Sequence, residues 1–466
     1  MKKASLTTSL SVDKPSASLT ESPAEPYRLE DGARVAVVGG GPAGSFFSYF
    51  LLELAERVGV RVKVDVYEPR DFSAEAPRGC NMCGGIISES LVQSLATEGI
   101  NIPPTVVQRG IDSYVLHTDV GDVRIDTPLH EMRIAAVFRG PGPRGAGRAK
   151  WGSFDGFLQN RVLDRGAELK RSRVDEIELE SGRPRVRTKD GLVETYDLVV
   201  VAVGVNTGTL ASLRNTIPGY RPPGTTRTYI GEYYLGEDKV AAVLGSSMHV
   251  FLLSIQRLEF AAIIPKGDYA TVCLLGREID DELVREFLES PVVGKCLPPE
   301  SYAGKSACHC RPSINVRGAV RPFSDRVVFV GDCAFTRLYK DGIGAAYRTA
   351  KAAATTALLH GVSAADFERH YWPVCRAIGG DNRIGGLTFA ATRMVQRIRF
   401  LRRAVLRMAT VEQRRAGERR RMSLVLWDLF TGSASYRNIL FRALQPAFVA
   451  RFLWNSAVST LKRDSV

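Results

Sequence analysis

Residues 34 to 68, RVAVVGGGPAGSFFSYFLLELAERVGVRVKVDVYE, narrow the folds open to this chain more than any other stretch. A short apolar run ends in glycines, an amphipathic run follows, and a second β-branched run closes on an acid. Strand, turn, helix and strand in that order make one βαβ unit, which requires a parallel sheet and so an α/β fold. Gly39 permits the tight turn, Gly41 lets the backbone approach a pyrophosphate, and Gly44 allows the helix to pack closely on the strand. Pro42 and Ala43 carry the turn into the helix, whose N-terminus favours phosphate. Glu68 is spaced to accept hydrogen bonds from a ribose diol, with Arg70 beside it. Gly140, Gly142 and Gly145 repeat the glycine spacing, but Pro141 and Pro143 remove amide donors and obstruct a helix, so that stretch reads as a loop.

The dinucleotide is indicated far downstream. Residues 326 to 332, RVVFVGD, run as a buried strand into Gly331 and Asp332, and an acid there can hydrogen-bond the ribityl hydroxyls of FAD. Gly342, Ile343 and Gly344 open a long helix through Leu359 beside the expected ring system. Between these ends, YDLVVVAVG at 196 to 204 is another buried strand closing on a glycine. A discontinuous Rossmann-type FAD-binding domain is therefore expected over 32–110, 150–215 and 305–360. Alternating β-branched runs at 112 to 138 and 225 to 275 predict an antiparallel β-sheet substrate domain over 111–149 and 216–304, roofing the flavin. Residues 1–31, rich in Ser, Thr, Pro and charge, read as a disordered tail.

Together with the segment CGGII at 83 to 87, the glycine unit and the Gly-Asp strand resemble the geranylgeranyl reductase family of FAD-dependent oxidoreductases, over about residues 33 to 360. The resemblance implies a flavin hydroxylase-like fold, an approach of Cys83, Gly84 and Gly85 to the isoalloxazine ring, and saturation of isoprenoid double bonds by hydride from reduced flavin. Cys83 is the candidate catalytic residue. The family's aromatic substrate segment P-x-x-Y-x-W-x-F-P corresponds to RLEFAAIIP here. Phe260 and Pro265 match, whereas Arg257, Ala262 and Ile264 replace the proline, tryptophan and phenylalanine. Phe260, Ala262, Ile264 and Pro265 are the candidate substrate pocket. The W-x-W-x-I-P segment of halogenases is absent, and Val203-Gly204 stands where aromatic hydroxylases carry Asp-Gly. A monooxygenase, or an electron carrier to a quinone or disulfide, is the alternative reading.

Eight scattered cysteines read as free thiols. Cys80 and Cys83 form a C-x-x-C that we read as backbone passing close to a cofactor rather than a redox pair. Cys308-His309-Cys310 has one intervening residue, too few for the usual zinc pair, and reads as small buried residues ahead of a flavin-domain strand; no metal is expected. The net charge of +13 is concentrated near one end, because eleven arginines against Glu412 and Glu418 between Arg393 and Arg421 supply +9 of it. No nucleic-acid recognition motif accompanies that charge. Residues 361–466 instead read as a basic amphipathic helical region, with Met394, Ile398, Leu401, Val405 and Met408 in one stripe. Two readings of residues 393–461 stay open: contact with an anionic membrane surface, with Trp427 or Trp454 at the boundary, or a helical cap packed on the body with a solvated basic face. No apolar run reaches spanning length, and no secretory h-region follows Lys2 and Lys3, so the expected location is cytoplasmic, with peripheral association on the inner face of the membrane left open. The expected partners are an apolar small-molecule substrate and NAD(P)H or ferredoxin as electron donor.

Overall fold

The computed structural model describes residues 27–73, 80, 82–127, 134–139, 151–180, 182–299, 308–414 and 420–461. The tail through residue 26 and the Gly140, Gly142 and Gly145 stretch lie outside the described residues.

The βαβ stretch builds the middle of a six-stranded sheet. Ala33–Val38 pairs in parallel with Val62–Tyr67 on one side and Leu198–Val201 on the other. Glu168–Lys170 and Val327–Phe329 extend the parallel array, and Phe323–Ser324 closes one edge antiparallel. Numbered by appearance in the chain, the five parallel strands lie in the order 3-2-1-4-5. The order reverses at Ala33–Val38, and a crevice opens beyond the carboxyl ends of the strands where such a reversal occurs. Val35, Val37, Val199, Val200 and Val328 are all fully buried, as expected of strands covered on both faces. The helices Pro42–Val58 and Gly342–Leu359 pack together, with Phe46 and Phe50 edge-on to Tyr347 at 5.8 and 5.5 Å between ring centres.

A seven-stranded sheet stands over the crevice. Its order is Cys308–Cys310, Tyr229–Tyr234, Tyr269–Gly276, Leu258–Pro265, Ser247–Phe251, Ser113–Thr118 and Gly121–Asp126. All pairs are antiparallel except Ser247–Phe251 with Ser113–Thr118. Side-chain alternation divides its core in two. Leu116, Met248, Val250, Ala262, Ile264 and Cys273 belong to one cluster, shared with the C-terminal helices. Phe251, Ala261, Ile263, Val272 and Leu274 pack on the other face against Phe287 and Val293 of two short helices.

Two strands lie elsewhere than the sequence pattern places them. Cys308–Cys310, although it comes before Phe323–Ser324 and Val327–Phe329 in the chain, is itself an edge strand of the seven-stranded sheet, paired with Ile230, Gly231 and Glu232, and none of its three residues is fully buried. Ile134–Val137 leaves that sheet and joins Ile86–Ile87 and Val107–Ile111 in a small three-stranded one. Both pairings join segments far apart in sequence, so no local pattern encodes them.

The C-terminal region is helical but does not present the single stripe expected of it. Ile398 takes an extended conformation (φ −105°, ψ 111°) between the helices Trp372–Arg397 and Arg399–Arg414. Met394 is therefore exposed on the earlier helix, while Val405 and Met408 are buried in the core. Two of the arginines are tied to the body, Arg393 to Glu259 at 2.7 Å and Arg402 to Asp119 at 2.5 Å. Trp427 is buried and donates Nε1–H to Glu89 at 2.8 Å, which removes it from any boundary role. Trp454 is exposed, with Phe441, Leu444 and Leu453. Among the described residues, no helix is long and apolar enough to cross a membrane.

Candidate functional site

The crevice at the strand reversal is a cleft of about 1190 Å³. That exceeds the roughly 300–1,000 Å³ of ordinary small-molecule pockets and leaves room for a dinucleotide with a second ligand. Gly39, Gly41, Pro42 and Ala43 line one end. Gly44 does not reach the cleft; a β-carbon there would stand 1.9 Å from the Gly39 carbonyl oxygen, so its absence lets the helix sit on the turn. Glu68 is buried, and its carboxylate accepts the backbone N–H of Gly40 at 3.0 Å and the N–H and Nε–H of Arg70, each at 3.0 Å. The acid thus ties the end of the second strand to the glycine turn, with Arg70 as its counter-ion at the cleft wall.

At the far end lie Asp332, Gly342 and Ile343. Burial raises the Asp332 carboxyl above its ordinary range, against the opposing pull of Arg139. Gly331, at φ +71°, packs on Ala43, and Gly344 packs on Asp341; both shape the cleft from behind. Lys340 precedes this helix, and its ammonium nitrogen is buried without a hydrogen-bond partner among the described residues. Burial, reinforced by Arg337, drives its pKa well below that of an ordinary lysine. Lys340 contributes to the cleft wall, but its ammonium nitrogen stands 5.0 Å from the centre of the buried Tyr436 ring, on the side of the C-terminal helices.

The roof is apolar. Ile230, Met248, Phe260, Ala262, Ile264, Cys273 and Leu275 of the seven-stranded sheet line it, joined by Phe430 from the C-terminal helices. Three of the four expected pocket residues are therefore present, while Pro265 lies outside the lining, where it pairs with Ala270 at the end of its strand.

Cys83, Gly84 and Gly85 form the cleft wall between floor and roof. A cavity of about 10 Å³ opens behind them, lined by Cys80, Cys83, Arg139, Glu232, Lys266, Cys308 and Cys310 among others. Gly85 adopts φ +69°, and a β-carbon there would meet the Val137 carbonyl at 2.5 Å and Lys266 Nζ at 2.7 Å. Lys266 is buried and donates to the Val137 carbonyl at 3.1 Å. Burial lowers it to about 8, with Glu232 opposing, and raises Glu232 to about 7, with Lys266 opposing. Arg139 holds Asp155 through two bonds of 2.7 and 2.8 Å. Its charge survives burial because Asp155 and Cys83 more than offset the desolvation.

The thiols gather here without pairing, for all eight cysteines are free. Burial pushes Cys80 up to about 11 and Cys273 and Cys310 up to about 12. Such thiols stay protonated near neutrality and are poor nucleophiles.

Arg139, Glu232, Lys266 and Lys340 were not singled out by the sequence. Lys266 follows LEFAAIIP and precedes Gly-Asp, where it reads as an ordinary turn residue. An apolar strand running into a lysine is a weak signal, and only tertiary packing buries the ammonium.

No protein-family model matches the sequence, and no curated protein matches it. Solved structures do. A geranylgeranyl bacteriochlorophyll reductase-like protein from Thermoplasma acidophilum superposes with a TM-score of 0.60 at 14% identity, covering 89% of this chain and 99% of that one. A flavoprotein/dehydrogenase from Cytophaga hutchinsonii gives 0.59 at 12%, covering 93% and 100%. The halogenase PltM in complex with phloroglucinol and FAD gives 0.58 at 12%, covering 92% of each. The mixed α/β fold is therefore similar to that of these solved proteins, one of which holds FAD.

Proposed function

We propose that this chain is an FAD-dependent oxidoreductase that reduces double bonds of an isoprenoid or comparably apolar substrate. The observation that carries the reading is the continuity of one cleft from a dinucleotide-type glycine turn to a roof of apolar side chains. The dinucleotide sheet is read as Rossmann-type from its strand order. The glycine turn and the N-terminus of Pro42–Val58 would hold the diphosphate, and Glu68 the adenosine ribose. Asp332 and the N-terminus of Gly342–Leu359 would hold the ribityl and ring end, with Cys83 to Gly85 alongside. Bound FAD supplies hydride transfer.

The protein's own part is orientation, dryness and a proton. Phe260, Ala262, Ile264 and Phe430 exclude water and seat an apolar chain. Lys266 Nζ, with a pKa near the working pH, holds a transferable proton behind Cys83, and Glu232 can replenish it. The cavity between them has room for about one water to carry that proton. Cys83 serves by position, as a contact to ring or substrate, rather than by thiol exchange.

Exposed Phe441, Leu444, Leu453 and Trp454, with the neighbouring arginines, support docking on an anionic lipid surface from which such a substrate would be drawn. The electron donor is NAD(P)H or ferredoxin in this reading. The test is anaerobic reduction of purified holoprotein, addition of polyprenyl lipids, and mass analysis of the products. A gain of two hydrogens supports the proposal. Incorporation of oxygen or halide on admitting air, with no reduced lipid, would overturn it in favour of the hydroxylase or halogenase chemistry of similar folds.

A further inference from the structure

On the face of the seven-stranded sheet that packs against the two short helices, three side chains converge that the cleft does not use. His117 lies on Ser113–Thr118 and His249 on the adjacent parallel strand Ser247–Phe251, and Cys296 follows the helix Pro291–Gly294. All three are buried, at 4%, 6% and 3% exposure. His117 Nε2 is 2.9 Å from His249 Nδ1, and Cys296 Sγ is 3.5 Å and 3.3 Å from those two nitrogens.

Hydrogen-bond accounting fixes what the inner nitrogens offer. His249 Nε2 lies 3.2 Å from the Leu244 carbonyl oxygen, which can only accept, so the proton is on Nε2 and Nδ1 presents a lone pair. His117 Nδ1 lies 2.9 Å from Asp122 Oδ1, which likewise accepts, so Nε2 presents a lone pair. Two lone pairs thus face each other at 2.9 Å in an apolar core. A cation between them resolves the conflict, and the sulfur on the third side selects a metal over a proton.

We infer that His117, His249 and Cys296 bind a zinc ion that fastens the outer layer of the roof sheet. Zn–N bonds of about 2.0–2.1 Å and a Zn–S bond of about 2.3 Å place tetrahedral ligand atoms roughly 3.3 to 3.6 Å apart, so a few tenths of an ångström of relaxation admits the ion. Binding would deprotonate the Cys296 thiol and release its proton to solvent. Asp122 on His117 and the Leu244 carbonyl on His249 are the second layer of acceptors that zinc-bound imidazoles have. With three protein ligands, the fourth position falls to a water. Among the described residues, this is the one group of His, Cys, Asp or Glu with ligand atoms converging this closely, and the thiols beside the cleft do not.

The experiment uses the full chain with FAD bound, stripped of metal by chelator and titrated with zinc chloride against a chromophoric chelator, with metal content read by mass spectrometry. We expect one zinc per chain for the unsubstituted protein. Cys296→Ser should lose zinc affinity by at least about 100-fold, and Asp122→Asn, a half-exposed site, by about 10- to 100-fold. Retained flavin content shows that each variant has folded. Cobalt should give ligand-field bands to the red of the flavin absorption, with a thiolate charge-transfer band that Cys296→Ser removes. Substoichiometric zinc, undiminished affinity in both variants, or zinc lost only with Cys80→Ser or Cys308→Ser would overturn the inference. Stoichiometric copper(I) without zinc would overturn the choice of metal.

Discussion

Replacing Lys266 by Met keeps the length and most of the volume of the side chain while deleting its ammonium. The fall of this group from 10.5 to about 8 corresponds to about 3 kcal/mol by which burying the charge destabilises the native protein. Lys266→Met removes that penalty and loses the bond to the Val137 carbonyl, worth about 1 kcal/mol. At pH 7 the variant should therefore be more stable by about 2 kcal/mol. The sign reverses at high pH. Between about 8 and 10.5 the unfolded chain binds the proton that the folded chain has released, so the stability of the unsubstituted protein climbs with pH across that window. The variant has no such rise and should end less stable by about 1 kcal/mol, so the two curves cross. Urea midpoints measured from pH 6.5 to 11 with FAD in excess would show the crossing. Parallel curves would refute the burial of a charged Lys266. Reduction of a lipid acceptor should slow in the variant while FAD binding is retained, as loss of a proton source requires.

Glu232→Gln addresses the partner: its raised pKa means that native stability falls as pH rises from 4.5 to about 7, and the variant should flatten that slope in acid titrations followed by fluorescence. Two glycine substitutions separate support from contact. Gly44→Ala collides with the Gly39 carbonyl and should cost about 1–3 kcal/mol of stability along with flavin content, whereas Gly41→Ala, with nothing within 4 Å of the new carbon, should leave apoprotein stability unchanged and lower flavin affinity. Arg139→Met strands Asp155, which is fully buried, and should destabilise by about 3–5 kcal/mol in denaturant titrations. Paired substitution of Phe441 and Trp454 by Ser should abolish flotation with anionic liposomes while leaving turnover of a detergent-dispersed acceptor intact.

Parts of the fold whose physics is local are legible in the residue order. A glycine turn between an apolar strand and an amphipathic helix can be read residue by residue, since the contacts of Gly44 with Gly39 and of Glu68 with Gly40 and Arg70 are local to one βαβ stretch. Asp332 and the helix after it are legible for the same reason. Folding settled what depends on pairing distant segments. It placed Cys308–Cys310 on the roof sheet, broke the arginine-rich stripe at Ile398, and buried Trp427 against Glu89. It also made a titratable pair of Glu232, on Tyr229–Tyr234, and Lys266, just past Leu258–Pro265, and a ligand set of His117, His249 and Cys296. Those groups are ordinary one at a time; sheet register and burial give them a common site, and neither is written in any short window of the chain.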